Sequence, residues 1–115
     1  MIRRAEDLTK ETREAWRGGP GRGFMTKIAS REEMLDNAKT FGIMEFEPNC
    51  GIGIHKHEYE MEVYLILEGY GEYFDNDRNF KVFPGDVCIC KSGEQHAITN
   101  IGDEPLKIVN LIVMK

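Results

Sequence analysis

Cysteine is scarce in this chain and odd in number. Cys50, Cys88 and Cys90 are the only three in 115 residues, which excludes a paired disulfide framework. Cys88 and Cys90 lie one residue apart in an apparent strand and share a face. They read as small buried hydrophobes, with a soft metal site or redox pair as the sharper alternative. A basic surplus is also missing. The net charge is −5, which argues against nucleic acid or an anionic membrane as partner, since both favour basic patches. No apolar stretch is long enough to span a bilayer. The start, Met1-Ile2-Arg3-Arg4-Ala5-Glu6-Asp7, is charged and no apolar leader region follows. A cytoplasmic location is the default expectation. Histidine is scarce too, with three residues in all.

What is present fits a globular protein. Hydrophobic residues make up 41% and charged residues 30%, too apolar for a disordered chain. The length predicts one structural domain. Two regions differ in character. Residues 1–40 read as an N-terminal arm with a Gly-rich loop and a short helix, and residues 41–115 as a barrel. Residues 1–17 are polar with scattered apolar positions, which predicts a short strand or irregular arm. Arg17-Gly18-Gly19-Pro20-Gly21-Arg22-Gly23 cannot be regular structure. Its glycines and flanking arginines could approach an anion, although a mobile loop is the simpler reading. Phe24–Ile28 suits a strand. Ser30-Arg31-Glu32-Glu33 is a capping-box pattern and predicts a short helix or helical turn over Arg31–Asn37.

From Phe41 onward, short β-type runs alternate with turn clusters such as Pro48-Asn49-Cys50-Gly51, Asp75-Asn76-Asp77 and Gly102-Asp103-Glu104-Pro105. Such even spacing predicts an all-β fold, a small jelly roll. Two of its strands are apolar on both faces. In Leu106–Met114 one face carries Leu106, Ile108, Ile112 and Met114, and the other Val109, Leu111 and Val113. In Glu62–Leu67 one face carries Val63, Leu65 and Leu67, and the other Tyr64 and Ile66. A sheet with two apolar faces needs a cover on each. The chain has little helix to supply one, so a homodimer is expected.

The histidines carry the chemistry. His55 and His57 are one apart, so in an extended strand they share a face. Glu62 follows at the start of an apolar run, and His96 lies far downstream. If the fold returns His96 to the first strand, three imidazoles and a carboxylate would form a mixed N/O site for a divalent metal. The spacing His55-x-His57, four residues, Glu62, six residues, Gly69 resembles the first motif of the cupin superfamily of small jelly-roll barrels. Asn49 stands where that motif has its leading glycine. The second motif is matched by Gly85, five residues, Lys91-Ser92-Gly93, then His96 and Asn100, with Lys91 in place of a proline. Fifteen residues separate Gly69 from Gly85, as in compact single-domain cupins. The resemblance covers about residues 41–114. A weaker one, with the Gly-rich segment included, is to small oxalate-decarboxylase-like cupins.

The resemblance implies His55, His57, Glu62 and His96 as metal ligands. Glu58 and Glu60, close by in the sequence, read as loop residues, with Glu60 a distant second choice for the carboxylate. The alternative is that these four are satisfied polar core residues. An octahedral Mn, Fe or Ni ion would keep two open positions on such a ligand set. Zn bound by all four ligands would be closed and structural. Strand alternation makes Phe41, Met44, Phe46, Tyr64, Ile98 and Ile112 candidates for the pocket wall. Tyr64 could donate to a ligand or pack in the core, and Asn100 could bond a ligand or tie a turn. The expected partner is a small carboxylate or sugar. The expected function is a metal-dependent enzyme that decarboxylates or oxidises an oxalate-like acid, or isomerises a sugar. The competing readings are a non-catalytic binder or sensor, and a structural metal site in a dimer.

Overall fold

The computed structural model describes residues 1–115. Ten strands follow in order: β1 (Lys10–Glu14), β2 (Arg22–Ala29), β3 (Ala38–Phe46), β4 (Gly51–Lys56), β5 (Glu60–Glu68), β6 (Gly71–Asp75), β7 (Arg78–Val82), β8 (Val87–Cys90), β9 (Gln95–Asn100) and β10 (Leu106–Met114). They form two antiparallel sheets, one of six strands in the order β1-β2-β3-β10-β5-β8 and one of four in the order β4-β9-β6-β7. This is the expected jelly roll. The sheets remain separate and do not close into a hydrogen-bonded barrel. No helix is long and apolar enough to cross a membrane.

Alternation along the strands builds the core. β3 turns Met44 and Phe46 inward, β5 turns Tyr64 and Ile66, and β10 turns Leu106 and Ile108. Ile52, Tyr73, Val82 and Ile98 meet them from the four-stranded sheet. Burying each large apolar side chain of this kind contributes about 1.5–3 kcal/mol. Cys88 and Cys90 face the same interior and are buried. Burial pushes both thiols up to about 12, so they stay protonated. The outer face of the six-stranded sheet is apolar as well, with Leu65, Leu67, Val87 and Ile89 exposed on β5 and β8.

The N-terminal region joins this frame. β1 and β2 extend the six-stranded sheet beyond β3. Of the short helix or helical turn expected over Arg31–Asn37, the turn forms and the helix does not. The capping box does form: the Ser30 N–H donates to Glu33 Oε1 at 2.8 Å, and the Glu33 N–H donates to Ser30 Oγ at 3.1 Å. It opens a single turn, because Leu35 and Asp36 both take left-handed φ values of 57°. Leu35 is exposed, so it adds no packed apolar contact that would extend the turn into a helix. Helical structure near the N-terminus is limited to 3₁₀ turns at Ala5–Asp7 and Trp16–Gly18.

The Gly-rich segment works by close approach of backbones. A Cβ on Gly19 would meet the backbone of Gly51, Ile52 and Gly53, and one on Gly53 would meet the backbone of Arg17 and Gly19. The 3₁₀ turn therefore lies directly on β4. Gly53→Ala should separate the two and lower stability by about 1–3 kcal/mol through overpacking. Chemical denaturation of the variant reads this; an unchanged midpoint would show that the turn is not held against β4.

Candidate metal centre

Four polar side chains converge between the sheets. His55 lies on β4, His57 one residue beyond its end, and His96 opposite His55 on β9. Glu62 comes from β5 in the other sheet, so the cluster bridges the two layers. The crossover from β4 to β5 is tight, with Tyr59 at a left-handed φ of 61°. All four residues are buried, and their donor atoms lie within 4.8 Å of one another. Glu62 Oε1 is 2.8 Å from His57 Nε2, 3.0 Å from His96 Nε2 and 3.6 Å from His55 Nε2. The Nε2 atoms of His57 and His96 are 3.1 Å apart.

The outward nitrogen of each ring has its own partner. His55 Nδ1 is 2.8 Å from the Gly53 carbonyl, which only accepts. The proton of neutral His55 therefore sits on Nδ1, and its Nε2 lone pair faces the centre. His57 Nδ1 is 2.6 Å from Glu60 Oε2, and His96 Nδ1 is 2.8 Å from the Tyr73 hydroxyl. Partners of this kind orient metal-binding imidazoles. Glu62 Oε2 accepts from Asn110 Nδ2 at 3.1 Å. Glu60 is thus a support for His57, and its Oε1 pairs with Lys39 Nζ at 3.4 Å.

The electrostatics follow from burial. Burial alone would raise the Glu62 carboxyl, but the contacts with His55, His57, His96 and Asn110 outweigh it and hold the group far below the usual carboxylate range. Burial would lower His57, yet its bonds to Glu62 and Glu60 leave it raised. Burial prevails at His96 and lowers it. Imidazole lone pairs and a buried anion that face one point require a cation between them, either a proton or a metal. The shorter donor separations match neighbouring positions around one ion, since two bonds of about 2.1 Å at right angles place their atoms about 3.0 Å apart. The residues present therefore fit a divalent metal.

The site opens into a cavity of about 380 Å³. Trp16, Met25, Met44, Ile52 and Ile112 give its apolar wall, and Arg13, Arg17, Lys27 and Lys39 line it as well. The sequence-predicted wall is only partly there. Met44 and Ile112 belong to it; Phe46, Tyr64, Ile98 and Asn100 do not. Phe46 and Ile98 are fully buried in the core. Phe41 opposes Leu111 in the outward row of the six-stranded sheet. Tyr64 stacks on His96 with ring centroids 4.8 Å apart, and its hydroxyl has no partner. Asn100 ties a turn: its Nδ2 donates to the Phe46 and Glu104 carbonyls, and its Oδ1 accepts from the Gly102 N–H.

Sequence reasoning missed Asn110 and Tyr73. For Asn110 a signal existed, since it is the one polar residue on an apolar face of β10, and a buried amide needs a partner. For Tyr73 there was none, because an aromatic inside a strand reads as core.

The geometry defines a jelly roll with a buried His₃Glu cluster between its sheets. The Cupin_2 family model, a cupin domain, matches residues 42–113, and the chain belongs to this family. The chain is 38% identical over 114 residues to an oxalate-binding protein of Thermotoga maritima, covering 99% of this chain and 94% of that one. The crystal structure of a predicted oxalate decarboxylase from Thermotoga maritima is similar over the full length of both chains, at 37% identity and a TM-score of 0.97. A cupin-2 domain from Rhodospirillum rubrum shares the fold at 14% identity, with a TM-score of 0.79 over 100% of this chain and 75% of that one.

Two tyrosines near His96 should behave differently on loss of the hydroxyl. Tyr73→Phe removes the partner of His96 Nδ1 and should weaken metal affinity roughly 10–100-fold. Tyr64→Phe removes a buried group without a partner and should leave stability unchanged or higher. Metal titration and thermal unfolding of both variants test this, and equal effects would refute the distinction.

Proposed function

We propose that this chain binds a divalent metal through His55, His57, Glu62 and His96 and uses it to hold a small carboxylate. The convergence of four buried donors, three of which (His55, His57 and Glu62) line an open cavity, carries this reading. Three neutral imidazoles and one carboxylate leave a net positive charge on a divalent ion. The bound ion would supply a Lewis acid with open positions for carboxylate oxygens, which favours Mn, Fe or Ni over a closed Zn site. The chain's own residues orient the donors: Gly53, Glu60 and Tyr73 hold the three rings, and Asn110 holds Glu62. The likeness to an oxalate-binding protein supports a carboxylate over a sugar.

Binding without turnover is favoured by one observation. Decarboxylation, or isomerisation of a sugar, needs a group in the cavity free to move a proton. Glu60 is the only carboxylate there outside the proposed ligand set, and it is already held by His57 and Lys39, while the one unpaired amine, Lys27, is at the exposed rim rather than among the buried donors. Turnover of oxalate by the metal-loaded protein would reverse this preference.

Metal analysis by mass spectrometry should find about one ion per chain, and calorimetry should show oxalate binding only to the loaded protein. His96→Ala should weaken metal binding beyond the roughly 10–100-fold expected for a supporting residue. Oxalate binding that survives chelation, or full metal content in His96→Ala, would overturn the proposal.

We also propose a homodimer that covers the exposed apolar face of β5 and β8. Val87 is 57% exposed and Ile89 51%, on the same outward row as Leu65 and Leu67. Sedimentation at micromolar concentration should give twice the chain mass, and Ile89→Lys should give the monomer. A wild-type monomer at that concentration would exclude this assembly.

A further inference from the structure

We infer that the cavity above the metal centre holds a second, cationic subsite, formed by Arg17 and Lys27, for the far carboxylate of a dicarboxylate ligand. This rests on the carboxylate-binding reading above and extends it. The cavity is far larger than oxalate requires. A volume of about 380 Å³ would hold roughly a dozen waters at about 30 Å³ each. A ligand that fills it must reach from the buried donors past the apolar wall to the exposed rim. Burial marks this gradient: the four donors, Met25, Met44 and Ile52 are buried, whereas Arg17, Lys27 and Lys39 are exposed.

The rim is cationic in a chain of net charge −5. Its four cations are not equivalent. Lys39 is paired with Glu60 at 3.4 Å. Arg13 is paired with Glu11 at 2.9 Å and lies over the Trp16 ring. Arg17 and Lys27 have no ion-pair partner. Glu11 feels the field of Lys27 but is bound chiefly by Arg13.

Local structure places the backbone of both free cations beside the mouth. Arg17 sits in the 3₁₀ turn that Gly19 and Gly53 allow onto β4. Lys27 opposes Gly42 and continues the inward row of Met25 and Met44. A register shift follows directly after Lys27, so the inward row ends with it. Two unpaired cations above an apolar wall recognise a second anion, and a spacer of a few methylenes suits the wall between.

The test compares glutarate with butyrate, which lacks the far carboxylate, by calorimetry on Mn-loaded protein, with oxalate as the reference. Glutarate should bind about tenfold more tightly than butyrate. That ratio should shrink as salt is raised, because exposed charges are screened. It should fall close to one in the double variant Arg17→Gln/Lys27→Gln, and part way in Lys27→Gln alone. Equal affinity of the two acids, or a ratio that persists in the double variant, overturns the subsite. If oxalate binds and glutarate shows no advantage, the subsite alone fails. If none of the three acids binds, the carboxylate reading fails and the subsite with it.

Discussion

One carboxylate organises the interior. Glu62 Oε1 lies within 3.6 Å of three imidazole nitrogens, two on strands of the opposite sheet and the third, of His57, just past the end of β4. A charge in that position is costly unless it is compensated. The compensation spans both layers, so the register of β5 against β10 and of β4 against β9 must both be right for it to exist. Ile112 opposes Glu62 on β10, and His96 opposes His55 on β9. A one-residue slip in either ladder would turn a member of the cluster outward. The cluster is thus also a check on how the sheets are assembled.

Around it the cavity is graded. Orientation is supplied near the centre by groups that are buried or half-buried: Glu60, Tyr73, Asn110 and the Gly53 carbonyl. Apolar side chains follow, then cations at the opening. The N-terminal strands contribute to the outer part. Arg13, Trp16, Arg17, Met25 and Lys27 all lie before β3, outside the residues matched by the family model. The family-matched core supplies the four donors, and the residues before it supply much of the mouth. Relatives with the same core and a different N-terminal region would therefore present a different opening to the same centre.

The strands from Phe41 onward, and the shared face of His55 and His57, were legible in the sequence for one reason, whereas Glu62 and His96 joined them as expected ligands through the resemblance of their spacing to the cupin motifs. Strand periodicity is local: His55-x-His57 share a face by geometry, and Glu62 and Tyr64 follow the same rule. The turn clusters told where strands end. The capping box over Ser30–Glu33 was legible too, and its hydrogen bonds are present. A helix did not follow, because extension depends on tertiary packing that Leu35 and Asp36 do not have. Phe41 was placed inward by alternation from a strand whose facing could not be known from its own residues. Asn100 had two readings, and only the turn at Gly102 chose between them.

The sequence by itself determined the residue types, their spacing and hence which residues of a strand share a face. These depend on covalent geometry and on a two-residue period. The tertiary structure alone decided which nitrogen of each ring faces the centre. It also brought Asn110 to Glu62 and Tyr73 to His96, and set the Gly-rich turn on β4 so that Arg17 reaches the mouth. Those choices depend on contacts between strands far apart in the chain, and the period of a single strand carries no information about them.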